Sequence, residues 1–173
     1  MTVLQETPHK RPATESMLTV GISDMVVTND SSKVIITYSL GSCVGLSLHD
    51  SVAGVGGMVH CMLPLSKIDP EKAEMNPCMF VDTGVPRLLQ EVYDMGATRK
   101  NLVAKVAGAG SPLGKNQVFK IGKRNYTVLR KVLWKNNILI KGENVGGSSA
   151  RTLILNVLTG RTVVKMDGKE LEL

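Results

Sequence analysis

The sequence predicts an α+β fold built in layers. Three observations carry this reading. Short β-branched runs recur along the chain between polar or glycine-rich turns. Two segments in the second half of the chain repeat apolar residues at helical spacing. No internal repeat or low-complexity tract interrupts them, so sheets and helices must cover one another's apolar faces. With 173 residues the chain fits a single domain of ordinary size. Residues 1–16 are polar, contain two prolines and read as a flexible arm, so the expected domain spans 17–173.

The elements follow in order. Leu18–Val27 reads as one strand and Lys33–Tyr38 as the next, joined by the polar cluster at 28–32. Val44–Leu48 is a third, with Val44, Leu46 and Leu48 on one face and Cys43, Gly45 and Ser47 on the other. The turn at 50–54 leads to Val55–Met62. An antiparallel hairpin there would return His60 towards Cys43. Pro64–Pro77 reads as a surface loop. A helix follows, capped by Asp82 or Thr83, with Pro86 in its first turn, Val85, Leu88, Leu89 and Val92 as its apolar stripe, and Gly96 as its end. Leu102–Ala107 is a strand that enters the turn Gly108-Ala109-Gly110. A second helix runs from Asn125 to Asn137 with Val128, Leu129, Val132 and Leu133 buried. Ile138–Ile140 is a short strand. Arg151–Val157 and Arg161–Lys165 flank Leu158-Thr159-Gly160 as a hairpin.

Composition narrows the class. Apolar residues make up 43% and charged residues 21%, both globular values, while aromatics are only 3%. Net charge is +6 and most cations lie after Arg99, which favours an acidic partner. Nucleic acid fits poorly, because no basic and aromatic residues interleave for base stacking. An acidic protein surface fits better. The N-terminus has no secretory h-region, and Val34–Leu48 is too short and too polar for membrane insertion. Three cysteines, Cys43, Cys61 and Cys78, without a signal peptide indicate reduced thiols and a cytoplasmic protein.

Cys43 sits in the turn Gly41-Ser42-Cys43-Val44-Gly45. A buried cysteine acting as a small hydrophobe needs no such flanks. A nucleophile benefits from them, since they present the sulfur, leave room for substrate and free backbone N–H groups for an oxyanion, with Gly41 and Ser42 the nearest donors. His60 lies in the apolar run Met58–Met62, where it is either a satisfied core residue or the base for the thiol. A zinc site from Cys43, His60, Cys61 and Cys78 lacks a C-x-x-C pair and puts His60 and Cys61 on opposite strand faces. The segment Ala109–Lys115 lacks the first glycine of a phosphate loop, and Asn116 stands where Ser or Thr would hold magnesium. No metal or other cofactor is therefore expected. The glycine sites at 108–110, 121–125 and 146–147 are either ordinary turns or a loop rim that binds a partner protein.

These segments together resemble the CheD family of chemoreceptor glutamine deamidases. The likeness spans Met17 to Lys165. It rests on Thr37 with LGSCVG at 40–45, HCMLP at 60–64, VDTG at 81–84, KVAGAG at 105–110, IGKRN at 121–125 and VGGSSAR at 145–151, in the family's order. The resemblance implies a three-layer α/β/β sandwich. It also implies a Cys43–His60–Thr37 triad, and nothing in the residues alone would have selected Thr37. The implied substrate is the cytoplasmic helical domain of a chemoreceptor. The implied reaction converts glutamine to glutamate through a Cys43 thioester, with glutamyl methyl esters as a possible second substrate. A CheC-type phosphatase is an implied further partner, and acting mainly as its binding module is the alternative function. One departure stands out: Asn144 occupies a position where the family often has Asp.

Overall fold

The computed structural model describes residues 16–112 and 120–173; the expected arm, apart from Ser16, lies outside them. Two mixed sheets stack face to face, and helices cover one of them, giving an α/β/β sandwich. The uncovered sheet contains β1 (Ser16–Val20), β3 (Lys33–Leu40), β8 (Arg151–Asn156), β9 (Thr162–Met166) and β10 (Lys169–Glu172) in that order. The central sheet contains β2 (Asp24–Thr28), β5 (Val55–Cys61), β4 (Val44–Asp50), β6 (Leu102–Gly108) and β7 (Ile140–Val145). Strands β1 and β3 run parallel, as do β6 and β7.

Side-chain alternation assigns the faces of the central sheet. Val44, Leu46, Leu48, Val59, Cys61 and Val106 point to the helices α2 (Val81–Asp94) and α3 (Ile121–Lys135), meeting Val85, Leu88, Leu129 and Leu133. Met58 and Ala107 point the other way, onto Ile35, Leu40, Leu153 and Leu155 of the uncovered sheet. Burial of these aliphatic side chains, worth about 1.5–3 kcal/mol each, holds the three layers together.

The expected single strand Leu18–Val27 is in fact two strands in different sheets. The chain leaves β1 at Gly21, and Ser23 adopts a left-handed φ of 59° that redirects it into β2. The segment 64–77 is not all loop: a 3₁₀ turn at Ser66–Ile68 is followed by the short helix α1 (Pro70–Met75), capped by the Asp69 side chain. Neither Asp82 nor Thr83 caps α2. Its N-cap is Phe80, Asp82 accepts from the Ser66 N–H and hydroxyl, and Thr83 donates to the Pro77 carbonyl. Pro86 lies inside that helix, beyond its first turn.

The second helix starts at Ile121 rather than Asn125, so the IGKRN segment is helical, not rim loop. A close approach explains the glycine there. A Cβ on Gly122 would collide with the Gly110 carbonyl oxygen and come within 2.6 Å of the Ala109 carbonyl carbon. The strand expected at 138–140 begins at Ile140 and runs on to Val145. The hairpin around 158–160 forms as expected, with β8 and β9 antiparallel. Strand β10 was not anticipated, although Asp167 and Gly168, both at positive φ, form a turn whose Asp-Gly pair is visible in the sequence.

Gly122→Ala is expected to lower stability to urea by about 1–3 kcal/mol through overpacking. Gly21→Ala, whose Cβ would come no closer than 3.9 Å to Asp24, should change it by less than about 0.5 kcal/mol. Equal effects at the two sites would contradict this packing account.

Candidate active site

His60 and Thr37 meet across the layer between the two sheets. His60 pairs with Gly45 in the β4–β5 ladder, and its side chain is fully buried on the face turned towards the uncovered sheet. A Cβ on Gly45 would press to 2.9 Å from Leu40 and 3.3 Å from Leu153, so glycine lets the sheets close at this point. Thr37 approaches from β3, also fully buried, and its Oγ1 lies 2.7 Å from His60 Nδ1.

The direction of that hydrogen bond follows from proton counting. Thr37 Oγ1 also lies 2.8 Å from the Val20 carbonyl oxygen, which can only accept. The single hydroxyl proton therefore goes to Val20. The oxygen lone pair is left to accept from Nδ1–H of His60, so His60 Nε2 carries the free lone pair. That Nε2 is buried and has no hydrogen-bond partner among the described residues. Burial pushes the His60 pKa down to about 4, so the ring is neutral at physiological pH.

Cys43 lies just before β4, half-buried against the same inter-sheet core. Burial raises its thiol pKa. The sulfur makes no hydrogen bond to Nε2 in this conformation. Its backbone is tightly held. Three successive carbonyls accept hydrogen bonds: Gly41 from the Gly110 N–H at 2.7 Å, Ser42 from the Asn125 side chain at 2.9 Å, and Cys43 from the Ala109 N–H at 2.7 Å. Across a trans peptide the N–H points opposite to the carbonyl. The N–H groups of Ser42 and Cys43 thus face away from these anchors. The Gly41 N–H is already donated to Ser39 at 2.9 Å. The N–H groups left facing outwards from this turn are those of Ser42 and Cys43, while the expected Gly41 N–H is committed to Ser39.

The other glycine loops close around this turn. Gly146 N–H donates to Gly108 and Ser111 N–H to Gly147. The buried Arg151 donates to Gly108, Gly146, Ser149 and the Asn144 amide oxygen. Asn144 therefore makes a loop hydrogen bond to Arg151 without adding a charge. Cys61 and Cys78 lie in the helix-side core, where burial raises both thiol pKa values. Among the described residues no three His, Cys, Asp or Glu side chains are placed to hold a metal ion. No helix among them is long and apolar enough to cross a membrane.

Comparison with known proteins adds the ancestry. The family model described as CheD chemotactic sensory transduction matches residues 62–166. The chain belongs to the CheD family. A CheD of Solibacter usitatus, named a probable chemoreceptor glutamine deamidase, is 49% identical over 154 residues, covering 89% of this chain and 91% of its own. A similarly named CheD 1 of Syntrophus aciditrophicus is 44% identical, covering 86% of this chain and 93% of its own. CheD 2 of Anaeromyxobacter dehalogenans, also so named, is 41% identical, with 87% and 94% covered.

Two contributors to this CheD site escaped the reading of the sequence. The Val20 carbonyl is backbone and has no sequence signal. Asn125 did have one: it falls in phase with Val128, Leu129, Val132 and Leu133, a polar residue on a buried stripe.

The proton assignment predicts that nitrogen-detected NMR will find neutral His60 as the Nδ1–H tautomer, still neutral at about pH 5.5. An Nε2–H tautomer, or titration near the ordinary value of 6.5, would contradict it. The depressed pKa also fixes the sign of a stability effect. Below 6.5 the unfolded state binds the proton first, so this contribution to stability is full above 6.5 and is lost as pH falls towards about 4.

Proposed function

We propose that this protein deamidates glutamine side chains of chemoreceptors, with Cys43 as nucleophile, His60 as general base and acid, and Thr37 as the residue that orients His60. The observation that carries the reading is the unpartnered, lone-pair-bearing Nε2 of His60, held by Thr37 in the same inter-sheet layer as a half-buried thiol. The names of the CheD relatives supply the substrate class.

The reaction requires the Cys43 side chain to turn so that Sγ reaches Nε2. Its proton passes to His60 as sulfur attacks the side-chain carbonyl carbon of glutamine. The negative oxygen of the tetrahedral adduct is met by the N–H groups of Ser42 and Cys43. His60 then returns the proton to the amide nitrogen, the C–N bond breaks and ammonia leaves. A thioester to Cys43 remains. Water attacks it, giving a proton to His60, and the departing sulfur takes that proton back as glutamate is released. A glutamyl methyl ester would react by the same steps, with methanol leaving.

The resting pair is neutral, since burial disfavours both thiolate and imidazolium. Proton transfer therefore accompanies attack rather than preceding it. Thr37 offers a dipole where a carboxylate would offer a charge, which predicts slow turnover. The net charge of +6 favours approach to an acidic receptor surface.

Incubation of a chemoreceptor cytoplasmic fragment with the protein, followed by peptide mass spectrometry, tests this. Cys43→Ala and His60→Ala should abolish glutamine-to-glutamate conversion. Thr37→Val should reduce it on the order of 10- to 100-fold, with Thr37→Ser retaining much of it. Conversion by Cys43→Ala at the wild-type rate would sink the proposal.

A further inference from the structure

We propose that Asn125 is a positioning residue for the oxyanion site, and that its side-chain amide fixes the direction of the Cys43 N–H. The inference rests on the reading of Cys43 as nucleophile. Asn125 is fully buried near the start of α3. Its Nδ2 lies 2.9 Å from the Ser42 carbonyl oxygen and 3.0 Å from that of Met62. Both partners can only accept, so Nδ2 must face them and gives each one proton. Its Oδ1 is left buried without a partner among the described residues.

An unpartnered buried acceptor costs about 1–3 kcal/mol. Asn125 carries that cost in order to spend both protons on two separate segments. One is the Ser42–Cys43 peptide, whose N–H is a donor for the oxyanion. Holding its carbonyl inward holds that N–H outward. The other is Met62, two residues beyond His60 in the same run of chain. The adjoining bonds from Gly110 and Ala109 fix Gly41 and Cys43, but neither reaches the His60 strand. Beside the β4–β5 ladder, which pairs Gly45 with His60, the bond to Met62 anchors the Asn125 amide that holds the Ser42 carbonyl.

Two reactions of the same thiol separate this role from plain structural support. Deamidation passes through an oxyanion, whereas alkylation of Cys43 by iodoacetamide does not. Asn125→Ala and the isosteric Asn125→Asp, which turns donors into acceptors, are compared with wild type at a temperature below each variant's unfolding. Deamidation kcat on a receptor fragment should fall on the order of 100-fold, while KM and the Cys43 alkylation rate stay within about threefold. Asn125→Ser, which keeps one donor, should retain intermediate activity and serves if the other two fail to fold. Wild-type kcat in a folded variant overturns the inference, and so does a parallel fall in deamidation and alkylation. Cys43→Ala is run alongside. If it stays fully active, the nucleophile reading fails. If it is inactive while the Asn125 variants are unaffected, only the role of Asn125 fails.

Discussion

The site depends on where one hydroxyl proton goes. Thr37 has a single proton and two close neighbours, the Val20 carbonyl and the His60 ring. Because the carbonyl can only accept, the proton is committed, and the ring must donate from Nδ1. A bond between β3 and β5 thereby ties the two sheets and leaves the other ring nitrogen as a base. The partner is neutral for a physical reason. A carboxylate in this inter-sheet layer would have to be stripped of water at a cost of several kcal/mol. A threonine brings no charge to desolvate, and the consequence is a neutral imidazole with a depressed pKa.

The proposed nucleophile, Cys43, is fixed by a different device. Its side chain is half-buried, but the three carbonyls around it are all bonded to neighbouring segments. The turn therefore behaves as part of the scaffold and not as a loop. Tight approach of β6 and the start of α3 makes this possible, with Gly122 giving way to the Ala109–Gly110 backbone. Layer packing, hydrogen bonding and site geometry are in this respect one constraint, because loosening α3 would release Asn125 from Ser42 and Met62 together.

Much of this was legible in the sequence. The β4–β5 hairpin followed from alternation and a turn signal, and it places His60 on the Cys43 side with Cys61 opposite. The helical stripes were legible because apolar residues recur at helical spacing, although in α3 Leu129 and Leu133 are fully buried while Val128 and Val132 are half-buried. Harder features depend on tertiary contacts. Gly21 to Ser23 carries the chain from one sheet to the other, yet locally it reads as a continuation of β-branched sequence. That merger concealed Val20, whose carbonyl reaches Thr37 because β1 ends at Val20 and pairs in parallel with β3, in register with Thr37. Thr37 was reached through family resemblance, since many hydroxyls would have suited. Asn144 stood out through the resemblance as an expected departure from the family pattern. Only the structure shows that it keeps a hydrogen bond to Arg151.

The central claim is that one thiol of three performs the chemistry. Cys43 is half-buried while Cys61 and Cys78 are buried, so limited iodoacetamide should label Cys43 first. The decisive measurement is residual deamidation of a receptor fragment against the fraction of Cys43 labelled, both read by mass spectrometry on the same samples. The account predicts that activity falls in proportion and reaches zero when Cys43 is fully labelled and the other thiols are not. Deamidation persisting in fully Cys43-labelled protein would contradict it.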